Sequence, residues 1–162
     1  MTDNSSSRVW MNFQGPNFRM KVPSDWYIVA SPTVQAMFLE PVGNQRLRGN
    51  MMITLRPIQE GLTLADVSVA ALETQAAGYP QFSLIDEQDI TVSGVRGKYR
   101  LYQWFNAEDN IPVVQAQAFF VARDLLITMT ATCDLERQAG TMPVFNAMFD
   151  SLELQLAEQS PN

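Results

Sequence analysis

Hydrophobic residues along most of this chain recur at every second position, the spacing of strands whose side chains point alternately to two faces. Val9 to Phe13 and Phe18 to Val22 alternate in this way, separated by the turn-like Gln14, Gly15 and Pro16. Pro23 to Asp25 turn the chain before Trp26. Strands are then predicted at 27–30, 34–40 and 50–56, with breaks at Ser31-Pro32 and Gly43-Asn44. The spacing next becomes helical. Leu62, Ala65, Val69, Leu72 and Ala76 form one apolar stripe, Thr63 and Asp66 can cap its start, and Gly78 can end it. Period two returns at 83–92 and 95–105, with Ser93-Gly94 between them. Residues 106–110 form a hairpin loop leading to 111–122, and Arg123-Asp124 turn the chain into 125–132. A closing helix is expected to begin near Pro143 and to bury Val144, Phe145, Met148, Phe149 and Leu152.

Strands, a helix, more strands and a second helix predict a single α+β domain, an antiparallel sheet packed with about two main α-helices. The domain is expected over residues 8–155. The polar segment 1–7 reads as a disordered tail and 156–162 as a flexible one.

The segment 111–122, IPVVQAQAFFVA, raises the functional question. One face carries Val113, Gln115, Gln117 and Phe119, and the other carries Val114, Ala116, Ala118 and Phe120. Neither face is made for water. If the two helices cover one face of the sheet, the other is left to bind something, and an open apolar face is an association surface. On that face we expect Val113, Gln115, Gln117, Phe119 and Tyr99, with Gln103 beside them if the hairpin register allows. Met37, Met51 or Met52 could add adaptable side chains. The contrary expectation is that the N-terminal strands fold over this face and that the glutamines sit at its rim.

Composition narrows the chemistry. The chain of 162 residues has 46% hydrophobic residues and a formal charge of −6. That balance points away from nucleic acid and from anionic membrane surfaces, which call for clustered Lys and Arg. Arg46, Arg48 and Arg56 read as a solvated loop. With no histidine, the Ser–His and Cys–His pairs and the usual zinc ligands are missing. Asp86, Glu87 and Asp89, and likewise Glu108 and Asp109, read as solvated turns without the spacing of a calcium loop. The lone Cys133 reads as a structural thiol, and no cofactor is implied. No signal peptide is visible, no apolar run reaches the ~18 residues of a membrane helix, and a cytoplasmic location is expected.

The segment FRMKVPSDW at 18–26 resembles the opening signature of DcrB-like domains, within the broader PsbP-like fold. MMITLRP at 51–57 is similar to the next strand and 64–77 to the first helix. The span 82–104, with Tyr102, Gln103 and Trp104, is similar to the long hairpin. QAFF at 117–120 resembles the following strand, and 145–152 the closing helix. The resemblance covers about residues 16–155 and implies a curved antiparallel sheet and a non-enzymatic role. PsbP supports an assembly, DcrB proteins are envelope lipoproteins, and the Eag chaperones of type VI secretion are cytosolic dimers that shelter apolar effector helices on a sheet. Gln117 aligns with a glutamine that those chaperones turn toward the helix, whereas Ala71 stands where they have a second one. The expected function is thus a non-enzymatic cytoplasmic chaperone or adaptor that holds an apolar helix of a secreted or assembly partner as a homodimer. The alternative is a structural subunit of a larger complex.

Overall fold

The computed structural model describes residues 7–29 and 35–156. The terminal tails, apart from Ser7 and Leu156, and the Ser31-Pro32 break lie outside the described residues. Among the described residues ten strands and two α-helices follow one another as β1 (Trp10–Gly15), β2 (Phe18–Pro23), β3 (Tyr27–Val29), β4 (Ala36–Leu39), β5 (Asn50–Pro57), α1 (Leu64–Gly78), β6 (Ser83–Val92), β7 (Val95–Asn106), β8 (Ile111–Ala122), β9 (Leu125–Asp134), α2 (Gln138–Asp150) and β10 (Glu153–Leu154). Seven strands form one sheet in the order β3-β4-β5-β9-β8-β7-β6, and β1-β2-β10 form a smaller one. Every strand pair is antiparallel. The architecture is α+β, as the hydrophobic pattern predicts.

The core lies between one face of the large sheet and a layer made of α2 and the small sheet. Val114, Ala116, Ala118 and Phe120 of β8 are fully buried there, with Phe18, Met20, Phe38, Phe145 and Met148. The Trp26 ring meets Phe145 edge-on at 6.1 Å, an arrangement that favours the ring quadrupoles. Gly97 of β7 supports this layer by lacking a side chain. A Cβ there would stand 2.6 Å from the Phe120 ring and 2.7 Å from the Phe119 carbonyl oxygen.

Helix α1 packs on the opposite face, so the two helices do not share a face as expected. Its start is the anticipated one. Thr63 Oγ1 accepts from the Asp66 N–H at 3.2 Å, and Asp66 accepts from the Thr63 N–H at 3.0 Å. Those bonds from Thr63 hold the Asp66 carboxyl below its ordinary range. The rotation of α1 is not the anticipated one. Its buried residues are Ser68 and Gln75, whereas Leu62 and Val69 of the apolar stripe remain 42% and 57% exposed. The reason is below it: this part of the sheet presents Arg100, Tyr102 and Gln117, and they are matched by polar groups.

Helix α2 also begins earlier than Pro143. Asp134 accepts from the Glu136 N–H at 3.0 Å and starts a 3-10 turn over Leu135–Arg137 that runs directly into the helix. Pro143 therefore lies inside α2.

Candidate functional site

Register decides which side chains share the second face. Asn106 stands opposite Ile111, so each odd residue of β7 faces an even one of β8. Gln103 consequently pairs with Val114, and Tyr99 with Ala118. Both belong to the core-side face, away from Gln115 and Gln117. The expectation that Gln103 and Tyr99 join those glutamines is corrected by this parity.

Three further nominees are covered by the chain itself. Val113, Gln115 and Phe119 are 1%, 8% and 3% exposed. Gln115 is held at both ends: its Oε1 accepts from Trp104 Nε1 at 2.9 Å, and its Nε2 donates to Thr132 Oγ1 at 2.9 Å. The Phe119 ring lies 5.7 Å from the Arg100 guanidinium carbon. Val113 and Gln115 belong to the interior and offer no contact surface; Phe119 is buried too, although it borders a cleft beside α1. The sheet face beneath α1 is a second, polar packing layer.

Gln117 and Met37 remain partly exposed, and the register joins them. Gln117 pairs with Thr130, Thr130 with Met52, Met52 with Met37, and Met37 with Val29. This row crosses five strands, with about 4.8 Å between neighbours. Parallel to it run Thr128 with Thr54, and Thr132 with Asn50, Leu39 and Tyr27. The threonine and amide side chains lie nearest α1. Toward β3 the surface becomes apolar, with Met52, Met37, Leu39, Tyr27 and Val29. The Arg48 guanidinium sits over the Tyr27 ring at 5.4 Å, so Arg48 packs instead of standing free in a solvated loop.

Helix α1 forms the wall of this face. Its Gln75 Nε2 donates to Gln117 Oε1 at 2.7 Å, and Gln117 Nε2 donates to Thr130 Oγ1 at 2.9 Å. A cleft of about 690 Å³ lies between Ala70, Ala71 and Leu62 of the wall and Thr54, Thr128 and Gln117 of the floor. Hydroxyl, amide, aromatic and aliphatic groups line it together with the charged Arg56 and Asp66, a set suited to holding a polypeptide with mixed polar and apolar contacts. The sequence reading missed Gln75, one helical turn beyond Ala71, because glutamine on a helix gives no periodic signal. The alternate threonines of β9 were a usable signal for the floor.

The acidic groups serve structure. Glu87 bonds Arg100 at 2.9 Å, and Lys98 bonds Asp89 at 3.0 Å, across the β6–β7 pair. Asn106 closes the hairpin loop by bonding Asp109 at 2.9 Å. Among the described residues no cluster of three or more metal-ligating side chains occurs.

Cys133 is fully buried, and burial pushes its thiol up to about 12. The thiolate is the reactive form. An aromatic disulfide reagent at about pH 8 is therefore expected to leave the native protein unlabelled and to react fully in denaturant. Rapid labelling of the native chain would show that the β8–β9 region opens.

The comparisons with known proteins agree with this architecture. Cyanobacterial PsbP (CyanoP) from Synechocystis is 17% identical, with TM-score 0.68, covering 95% of this chain and 97% of that one. LpqN of Mycobacterium tuberculosis, described as involved in cell envelope biogenesis, is 13% identical, with TM-score 0.68 and coverage of 94% and 88%. The Ran-binding protein Mog1p of Saccharomyces cerevisiae is 14% identical, with TM-score 0.61 and coverage of 91% and 96%. At these identities the likeness is one of fold, which is PsbP-like. No curated protein matches the chain. The DcrB family model matches residues 35–151, more than two thirds of the 162 residues, and the chain belongs to the DcrB family.

Proposed function

We propose that this protein is a non-enzymatic binding protein that receives an apolar helical segment of a protein partner on the open face beside α1. The observation that carries this reading is the partly exposed row from Gln117 through Met52 and Met37 to Val29, in which Thr130 is buried, walled on one side by α1. Its apolar end offers area to bury, and its hydroxyl and amide end can bond polar groups on the segment. A cytoplasmic chaperone or adaptor for a secreted or assembly partner is the role that fits such a surface. Mog1p, which has this fold, is a Ran-binding protein, in keeping with a protein partner.

A synthetic helical peptide of about 20 leucine and alanine residues, the length of a membrane span, with lysines at its ends, supplies the test. Titration calorimetry is expected to show binding that weakens at least about tenfold in Met52→Arg and Thr128→Arg, with little change in melting temperature because both positions are partly exposed. Equal binding by the variants and the unaltered chain would move the site elsewhere. Partners captured from native cells then separate two roles. A chaperone releases its client, whereas a structural subunit stays in a complex of fixed stoichiometry.

A further inference from the structure

The core-side face of the large sheet is not covered out to its β6 edge. Gln88 stands opposite Tyr99 and Tyr99 opposite Ala118, while Asp86 stands opposite Leu101, so all of them share that face. Between these strands and the last turn of α2 lies a cleft of about 730 Å³. Its floor is apolar, made of the fully buried Ala118 and Phe120 with Leu152. Its walls include Tyr99 and Phe149, whose rings meet edge-on at 5.8 Å. Two carboxylates also line it, Asp86 from the edge strand and Asp150 from the end of the helix, and both are more exposed than the floor. No lysine or arginine among the described residues lines it.

The charges of β6 divide by face. Glu87 and Asp89 point to the α1 side and are paired with Arg100 and Lys98. Asp86 accepts from the Gln88 side-chain amide at 2.6 Å, and among the described residues neither it nor Asp150 forms an ion pair. The carbonyl end of α2 carries partial negative charge at the same place, and its last turn holds no basic residue to offset it. The Tyr99 hydroxyl responds to these surroundings: burial, and then the Asp86 charge, raise it above its ordinary value.

We propose that this cleft binds a small organic cation, a primary ammonium group carried on an aromatic or aliphatic body. Its volume lies in the range of small-molecule sites. The apolar body rests on Ala118, Phe120 and Leu152, and the ammonium stays beside Asp86 and Asp150, where the Tyr99 and Phe149 rings add cation–π attraction. This polarity selects the ligand. A lysine side chain of a protein partner would enter tip first and press its charge onto the apolar floor, which is costly. A calcium ion needs six or more oxygen ligands, and among the described residues no group of three metal-ligating side chains occurs. The cleft lies on the face of the sheet opposite the peptide-binding row, so the inference goes beyond that reading and is tested without any peptide.

The experiment is a titration of the full chain with 2-phenylethylammonium, followed by the chemical shifts of the backbone amides. Saturable shifts are expected in the second half of β6, at Ala118 and at the end of α2, with a Kd of about 1 mM, reasonable for a ligand of this size. The neutral counterpart 2-phenylethanol is expected to bind at least about fivefold more weakly, the worth of one charged hydrogen bond. Asp86→Asn and Asp150→Asn are each expected to weaken the ammonium at least about threefold, with little change in melting temperature because neither position is buried. Circular dichroism checks that the variants are folded. The absence of saturable shifts up to about 20 mM, well above the expected Kd, overturns the proposal. Equal affinity for the ammonium and the alcohol does so too, as do folded Asp86→Asn and Asp150→Asn that bind as well as the unaltered chain. Shifts gathered instead in α1 and β9 would place the ligand on the other face and overturn it as well.

Discussion

Replacing Phe119 with alanine is expected to destabilise the protein by about 3–5 kcal/mol, the range for removing a buried phenylalanine ring. The ring is 3% exposed. It pairs across the sheet with Lys98 on one side and Thr128 on the other, and the Arg100 guanidinium stands 5.7 Å from its centre. Truncation removes apolar burial, opens a cavity under α1, and takes an aromatic neighbour from a buried cation. These losses act together at one point. Equilibrium urea unfolding measures the cost, and amide exchange in α1 should show whether the helix loosens first. A cost below about 1 kcal/mol, typical of exposed positions, would mean that Phe119 belongs to the open face after all.

That expectation reverses the reading of Phe119 as a contact residue, and the reversal shows where sequence patterns stop. The strands from β6 to β9 were legible because alternation, short turns and a recognisable hairpin loop all agree. The start of α1 was legible because Thr63 and Asp66 carry a local capping rule. The rotation of α1 was not. An apolar stripe marks the side of a helix that ordinarily packs, but the sheet beneath α1 presents Arg100, Tyr102 and Gln117. Ser68 and Gln75 turn inward to meet them, and Leu62 and Val69 turn out.

The same limit applied to the site. Gln103 could be placed only once the loop length fixed the hairpin register, since a shift of one residue exchanges the faces. Met37 and Gln117 were nominated separately, and nothing local in the sequence says that they share a row. That fact depends on three strand pairings, which together link Met37 to Gln117, 80 positions further along the chain. The composition of the row was readable; its assembly was a property of the register.

The polar layer under α1 has its own energetic test. Arg100 is 1% exposed, donates from Nε to Glu87 at 2.9 Å, and donates from Nη2 to the Ser68 carbonyl and hydroxyl at 3.0 and 2.7 Å. Its Nη1 has no partner among the described residues. Glu87→Ala thus leaves a buried guanidinium without its directly bonded carboxylate, and the expected cost is about 3 kcal/mol at neutral pH. Arg100→Leu combined with Glu87→Leu is expected to be less damaging than Glu87→Ala, because no buried charge is left over and the alkyl groups refill the space. The pH dependence separates charge from packing. Burial raises the Glu87 carboxyl, but the bonds from Arg100 and Lys98 outweigh burial and hold it below its ordinary 4.5. A carboxylate with a depressed folded value contributes stability that is present above the unfolded value and is lost as pH falls through the folded one. The gap between the unaltered protein and Glu87→Ala should therefore be full at neutral pH and shrink on acidification to about pH 3. Urea unfolding at the two pH values reads it directly. A gap that stays constant would assign the effect to lost side-chain packing, and the charge of Arg100 would then be stabilised by something other than Glu87.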